Sequence, residues 1–148
     1  MRAVVTRVDR ASVKVDGELC GQIGRGFLVL LGVTHEDSPA EVKKLADKVC
    51  GLRIFEDESG KMNLGLDAVA GELLVISQFT LYGNCKHGRR PEFLAAARPE
   101  VAIPLYEQFL AECRAKGLRV EAGVFGAHMD VDSLNSGPLT LILDTEQL

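Results

Sequence analysis

With 148 residues, 47% of them hydrophobic and 26% charged, the chain has the length and composition of one globular domain that buries about two-thirds of its unfolded surface. Seventeen basic against 21 acidic residues give a formal charge of −4, which excludes a global positive field for nucleic acid or an anionic membrane and confines any RNA contact to a local patch. The opening "MRAVVTRVDRASVKV" breaks its apolar residues with Arg2, Arg7, Asp9, Arg10 and Lys14, so it offers no secretion-signal core and no spanning helix; a cytoplasmic protein without a membrane partner is expected.

In chain order, Val4, Thr6 and Val8 and then Val13 and Val15 recur at the two-residue period of a strand, and Asp16-Gly17 supplies a hairpin turn into "ELCGQIG". After Gly24-Arg25-Gly26, the run "FLVLLGV" reads as a strand buried on both faces. "HEDSPAEVKKLADKVCGL" predicts a helix with Ser38 as N-cap, Pro39 at the first helical position and Glu41 completing a capping box. Val42, Leu45, Ala46 and Val49 supply its apolar face, and Gly51 is expected to end it in a left-handed conformation.

"GELLVISQFTLYG" reads as another strand between Gly71 and Gly83, followed by a short helix from Pro91 to Ala97. "PEVAIPLYEQFLAECRAKG" predicts a second long helix, with Leu105, Phe109 and Cys113 stacked on one face; Pro104 places its regular start near Ile103. "LRVEAGVFG" and "PLTLILD" close the chain as strands, the last entered through Gly137-Pro138, a pair that central strands avoid. With no repeat and no linker, the expectation is a single α+β domain over residues 1–148, strand meanders forming a mixed, barrel-like sheet covered by two or three helices.

Most standard motifs are absent. "GQIGRG" has the wrong glycine spacing for a dinucleotide fingerprint, there is no P-loop, G-x-S-x-G elbow or H-E-x-x-H, and His35, His87 and His128 are scattered; no cofactor and no metal are expected. Cys20, Cys50, Cys85 and Cys113 lie about thirty residues apart without a C-x-x-C pair, which suits buried or incidental thiols. Cys85 and His87 are two residues apart, a spacing better explained by a surface loop than by a nucleophile and its base. Lys86, Arg89 and Arg90 in "NCKHGRRPEF" concentrate positive charge, and a phosphate contact and a solvated loop account for them equally well. "SQFTL" presents Ser77, Gln78 and Thr80 at the end of an apolar strand, a place where free N–H groups can cradle an oxyanion; a strand merely running out into solvent is the commoner cause.

Together, "SQFTL" and "NSGPLT" resemble the two signature motifs of the D-aminoacyl-tRNA deacylases, and the resemblance extends through "GKMN", "KHGRRPEF" and "GVFGAHMDVDSLNSGPLT". Leu139, standing where valine is more usual, is a conservative departure. The resemblance implies an esterase acting on the aminoacyl-tRNA 3′ end, as a homodimer with active sites at the subunit interface. It implies that Gly137-Pro138 is cis and enters the partner's site, rejecting L-aminoacyl groups by main chain while admitting D-residues and achiral glycine. Ser77, Gln78, Phe79 and Thr80 become the catalytic segment, with Thr80 either a nucleophile or a bystander to water assisted by the terminal 2′-hydroxyl. Phe125 and Met129 are candidates for an apolar floor under the adenosine, with a plain core role equally open. A module that grips tRNA ends or small ligands without turnover is the alternative from a different class.

Overall fold

The computed structural model describes residues 1–148. In chain order it contains β1 (Arg2–Val15), β2 (Glu18–Ile23), β3 (Gly26–Gly32), α1 (Pro39–Cys50), β4 (Phe55–Glu56), β5 (Met62–Leu64), β6 (Glu72–Ser77), α2 (Pro99–Ala115), β7 (Val120–Ala122) and β8 (Asp130–Asp144). Six strands form one mixed sheet in the order β2-β1-β3-β6-β7, with β8 on the other edge of β1; β4 and β5 make a separate small hairpin. The main sheet curls until Gly21 of β2 backs onto β7, where an added Cβ would stand 2.8 Å from the Ala122 carbonyl oxygen. The result is the α+β, nearly closed barrel that the pattern implies, covered by two helices.

The β1–β2 turn follows from its sequence: Asp16 (φ 52°) and Gly17 (φ 79°) adopt the left-handed pair that a two-residue hairpin requires. The pairs β3–β6 and β6–β7 are parallel, so each needs a long crossover, and these crossovers carry α1 and α2. Alternation then divides the interior in two. Ala3, Val5, Phe27, Val29, Leu73 and Val75 face the helices, whereas Val8, Val13, Leu28, Leu74 and Ile76 fill a second core on the opposite side. A sheet buried on both faces explains why "FLVLLGV" carries no polar alternation. The core positions of β1 are Ala3, Val5, Val8, Ala11 and Val13, so the simple alternation through Val4, Thr6 and Val8 changes phase around Arg7.

The start of α1 matches its signature: the Ala40 N–H donates to Ser38 Oγ at 3.3 Å and the Ser38 N–H donates to the Glu41 carboxylate at 2.7 Å. Its end differs, because Gly51 is right-handed (φ −91°), its N–H reaching back to the Asp47 carbonyl. The second helix runs unbroken from Pro99, with Pro104 inside it. Burial of Ala102, Leu105, Tyr106, Phe109, Leu110 and Cys113 along one face offsets the missing hydrogen bond. Residues 91–97 are not helical. The Glu92 N–H and the Ala97 N–H are instead spent on the carbonyls of Asn84 (3.0 Å) and Val33 (2.9 Å), which strap this loop onto distant backbone.

The last strand begins at Asp130, well before Leu139, so "NSGP" lies inside it. No helix is long and apolar enough to cross a membrane.

Gly26 opens β3 against β6, where a Cβ would fall 1.8 Å from the Glu72 carbonyl oxygen. Gly26→Ala must therefore separate two paired backbones, and urea denaturation is expected to show a loss of roughly 3 kcal/mol or more. Ser38→Ala, which removes only a cap, should cost about 1 kcal/mol. Equal losses in the two variants would contradict this ranking.

Candidate functional site

The apolar strand β6 ends at Ser77, and the chain turns at once into a single 3-10 turn, Phe79–Tyr82. The Gln78 N–H still donates to the Leu31 carbonyl at 2.8 Å, which fixes the turn to the end of β3. Beyond it the N–H groups of Phe79 and Thr80 open the helical turn and have no partner within it. The Gln78 side-chain amide donates to the Thr80 hydroxyl, and no histidine or carboxylate hydrogen-bonds Ser77 or Thr80.

A cleft of about 250 Å³ opens beside this turn, lined mainly by apolar side chains. It brings together Ser77, Gln78 and Phe79 from the turn with Phe125 and Met129 from the segment before β8. Phe125 packs on Tyr106 at 5.9 Å between ring centroids, and the buried Tyr106 hydroxyl donates to the Val75 carbonyl at 2.8 Å. Burial pushes this phenol up to about 12, so it remains a neutral donor. Met129 rests on Gly123, where a Cβ would lie 2.4 Å from its sulfur. Phe125 and Met129 thus serve both readings: each lines the cleft and each packs against a buried core. Phe79 is 56% exposed at the mouth, with its ring edge-to-face with Phe93 at 5.2 Å.

The other candidate residues lie outside the cleft. Thr80 is exposed and is not among the lining side chains. Lys86, Arg89 and Arg90 occupy an exposed loop closed by the Asn84–Glu92 bridge, and none of them forms an ion pair. Gly137 and Pro138 are exposed on β8, joined by a cis peptide bond.

The register of β8 explains how Gly137-Pro138 is accommodated. Thr6 pairs with Thr140 and Val8 with Asn135, so Arg7 alone faces the four residues from Ser136 to Leu139, which bulge from the ladder. β8 pairs with β1 only, leaving its other edge free, which is where proline is tolerated. The bulge is held from below. The Arg7 Nε donates to the Ser136 carbonyl at 3.0 Å and its Nη1 to the Ile54 carbonyl at 2.6 Å. Asn135 Oδ1 accepts from the Leu139 N–H at 3.1 Å. The positive φ of Gly137 (133°) calls for glycine, and a Cβ there would also meet Arg7 Nη2 at 2.8 Å and push the guanidinium aside.

Arg7 and Tyr106 have no mark in the sequence. The first looks like one more surface charge on a strand and the second like one more apolar helix position. Only the one-turn spacing of Tyr106 from Ala102, which also lines the cleft, hints at a shared face.

A curled α+β barrel with an apolar cleft that ends in main-chain donors, and with no nucleophile beside a base, defines a site suited to hydrolysing an already activated acyl group. The chain belongs to the D-Tyr-tRNA(Tyr) deacylase family, whose model matches residues 4–144. Curated relatives include the D-aminoacyl-tRNA deacylase of Brevibacillus brevis, 58% identical over 145 residues that cover 98% of this chain and all of the relative. That of Thermus aquaticus is 56% identical over 147 residues, covering 99% of this chain and 97% of its own. Among solved structures, the c-Myc DNA unwinding element binding protein superposes with a TM-score of 0.90 at 43% identity, covering 97% of this chain and 98% of its own. A probable eukaryotic D-amino acid tRNA deacylase shares the fold at 21% identity, with a TM-score of 0.81 and coverage of 96% and 97%.

Arg7→Ala would leave the Ser136 and Ile54 carbonyls without their donor, at a cost of about 1–3 kcal/mol for the buried Ile54 bond and less for the part-buried Ser136 bond. Thermal unfolding should fall accordingly, and hydrogen exchange at the Leu139 amide should accelerate. Arg7→Lys should not restore it, because a point donor cannot reach two carbonyls as the guanidinium fork does. Unchanged exchange at Leu139 would show that Arg7 does not hold the bulge.

Proposed function

We propose that the protein hydrolyses the ester joining a D-amino acid to the 3′ end of a tRNA, and that it works as a homodimer in which Gly137-Pro138 of one subunit closes the cleft of the other. What carries this reading is the junction of β6 with its 3-10 turn, where an apolar cleft meets free main-chain donors and no activated nucleophile. An aminoacyl ester needs little more than this. Water attacks the ester carbonyl carbon, the oxyanion is held by the N–H groups of Phe79 and Thr80, and collapse expels the 3′-oxygen, which takes up a proton. The vicinal 2′-hydroxyl of the terminal adenosine assists the water. Gln78 and Ser77 keep the local geometry, and Phe125 and Met129 form the apolar floor for the adenosine. With its hydroxyl tied to the Gln78 amide and no base beside it, Thr80 is a weak nucleophile.

Chirality is decided by Cβ alone, since D- and L-aminoacyl groups share every functional group. A main-chain wall in the L direction rejects all L-residues whatever their side chain and spares glycine, so glycyl-tRNA is also a substrate. Within one chain nothing closes the cleft from that side, and Gly137 and Pro138 do not line it. The free edge of β8 favours a second copy as the source of the wall: Val131, Leu134, Leu141 and Ile142 are exposed on that strand, Ile142 to 78%. Lys86, Arg89 and Arg90, which follow the 3-10 turn closely in sequence, hold the RNA locally by its phosphates.

Catalytic amounts of protein incubated with matched D- and L-aminoacyl-tRNA should release the D-amino acid over many turnovers and spare the L form. Stoichiometric protection without release would instead identify a binding module. Thr80→Ala should stay within about threefold of the parent rate, and a substrate ending in 2′-deoxyadenosine should be cleaved far more slowly. Complete loss in a folded Thr80→Ala protein would favour the covalent route. Neutralising Arg89 and Arg90 should weaken binding to every tRNA alike and lower the salt slope by about 1 for each phosphate that is no longer neutralised.

A further inference from the structure

The two helices carry a thiol pair that the hydrolytic reaction does not use. Cys50 is the last residue of α1 and Cys113 lies in the final turn of α2. One turn away on each helix, Lys116 Nζ pairs with Asp47 at 2.5 Å. The two helices therefore run past each other in opposite directions at this point, and in the register set by the ion pair Cys50 packs against the core that contains Cys113. Cys113 is fully buried, whereas Cys50 is half-buried and lines a cleft of about 210 Å³ whose charged members are Lys116, Asp47 and Asp67.

We propose that Cys50 and Cys113 form a peroxide-reactive dithiol, in which hydrogen peroxide entering this cleft oxidises Cys50 and Cys113 then closes an intramolecular disulfide between α1 and α2. In the first step the Cys50 thiolate attacks the peroxide O–O bond, giving a sulfenic acid and releasing water once the departing oxygen is protonated. In the second the Cys113 sulfur attacks the Cys50 sulfur, the S–O bond breaks, and the hydroxyl leaves as a second water with the Cys113 proton. Two thiols lose two electrons and the peroxide gains them, so no other reactant is needed.

The roles are unequal for physical reasons. The Cys113 thiol and then the Lys116 ammonium favour the thiolate of Cys50 and draw it below the ordinary thiol range; Asp47 and partial burial oppose this. The Cys50 sulfur and burial push Cys113 up, which keeps it a protonated thiol until a sulfenic acid forms beside it. Cys20 and Cys85 are exposed free thiols without such a setting. The bond would tie α2, whose Ala102 and Tyr106 line the functional cleft, to the end of α1.

The full chain should be treated with stoichiometric hydrogen peroxide, alkylated and mapped by mass spectrometry. The expected product is lighter by two hydrogen atoms, carries a Cys50–Cys113 cross-link that dithiothreitol reverses, and still alkylates at Cys20 and Cys85. Cys50 should react about tenfold faster than Cys85. In Cys50→Ser, a change at a half-buried position, Cys113 should stay unoxidised under the same treatment. Oxidation of Cys20 or Cys85 ahead of Cys50 would overturn the proposal. So would conversion of Cys50 to its sulfinic acid without a cross-link, or peroxide oxidation of Cys113 in Cys50→Ser. None of these outcomes depends on deacylase activity.

Discussion

The molecule depends on one strand being hydrogen-bonded along both edges. β1 pairs with β8 on one side and with β3 and then β2 on the other, so its register cannot slip without moving both cores. A one-residue shift would turn Ala3 and Val5 away from the helices and Val8 and Val13 out of the second core. Because β1 is fixed, Arg7 is fixed, and the bulge from Ser136 to Leu139 is fixed upon it. The exposed main chain at Gly137-Pro138 thereby takes its position from the least adjustable part of the fold.

Such rigidity suits the task proposed for it. A side chain that excludes by bulk can rotate away, whereas a segment anchored by Arg7 from below and by Asn135 across its base has few alternatives. The segment proposed as catalytic is set in a similar way. It follows directly from β6, buried on both faces, and the Gln78 N–H stays bonded to β3, so the donors at Phe79 and Thr80 inherit the position of the sheet. Preorganised main chain of this kind requires no reorganisation as charge develops, which matters more for an activated ester than a strong nucleophile would.

What the sequence reveals and what it hides divide along the range of the interactions. The first helix could be read in full at its start because its cap, its proline and its apolar face are all local. Its end could not, since Gly51 takes a right-handed turn that a glycine permits but does not announce. The expected late start of α2 gave too much weight to Pro104 and too little to the buried face that carries the helix through it. Residues 91–97 look helical by composition, yet their donors are claimed by Asn84 and Val33, which no local pattern records. The two signature segments stand out in the sequence by resemblance. The setting of the second does not: Gly137-Pro138 reads as spoiling a strand at its entrance, and only pairing with residues more than a hundred positions away makes it a bulge within one. Arg7 carries no mark in the sequence for the same reason, because both of its acceptors, Ser136 and Ile54, are remote.

Electrostatics adds a constraint on how an RNA could approach. A chain of formal charge −4 repels a polyanion at long range, and at physiological salt a charge is screened beyond about 8 Å. Attraction must then come from cations that are near the cleft and not already neutralised. Arg2 is committed to Asp144, Arg119 to Glu72 and Glu121, and Lys116 to Asp47. Lys86, Arg89 and Arg90 are uncommitted and follow the 3-10 turn by only a few residues. In the function proposed above, this cluster holds the end of a nucleic acid and not its length. Weak general affinity is then an advantage, because an enzyme that inspects the 3′ ends of many tRNAs must release the correctly charged ones quickly.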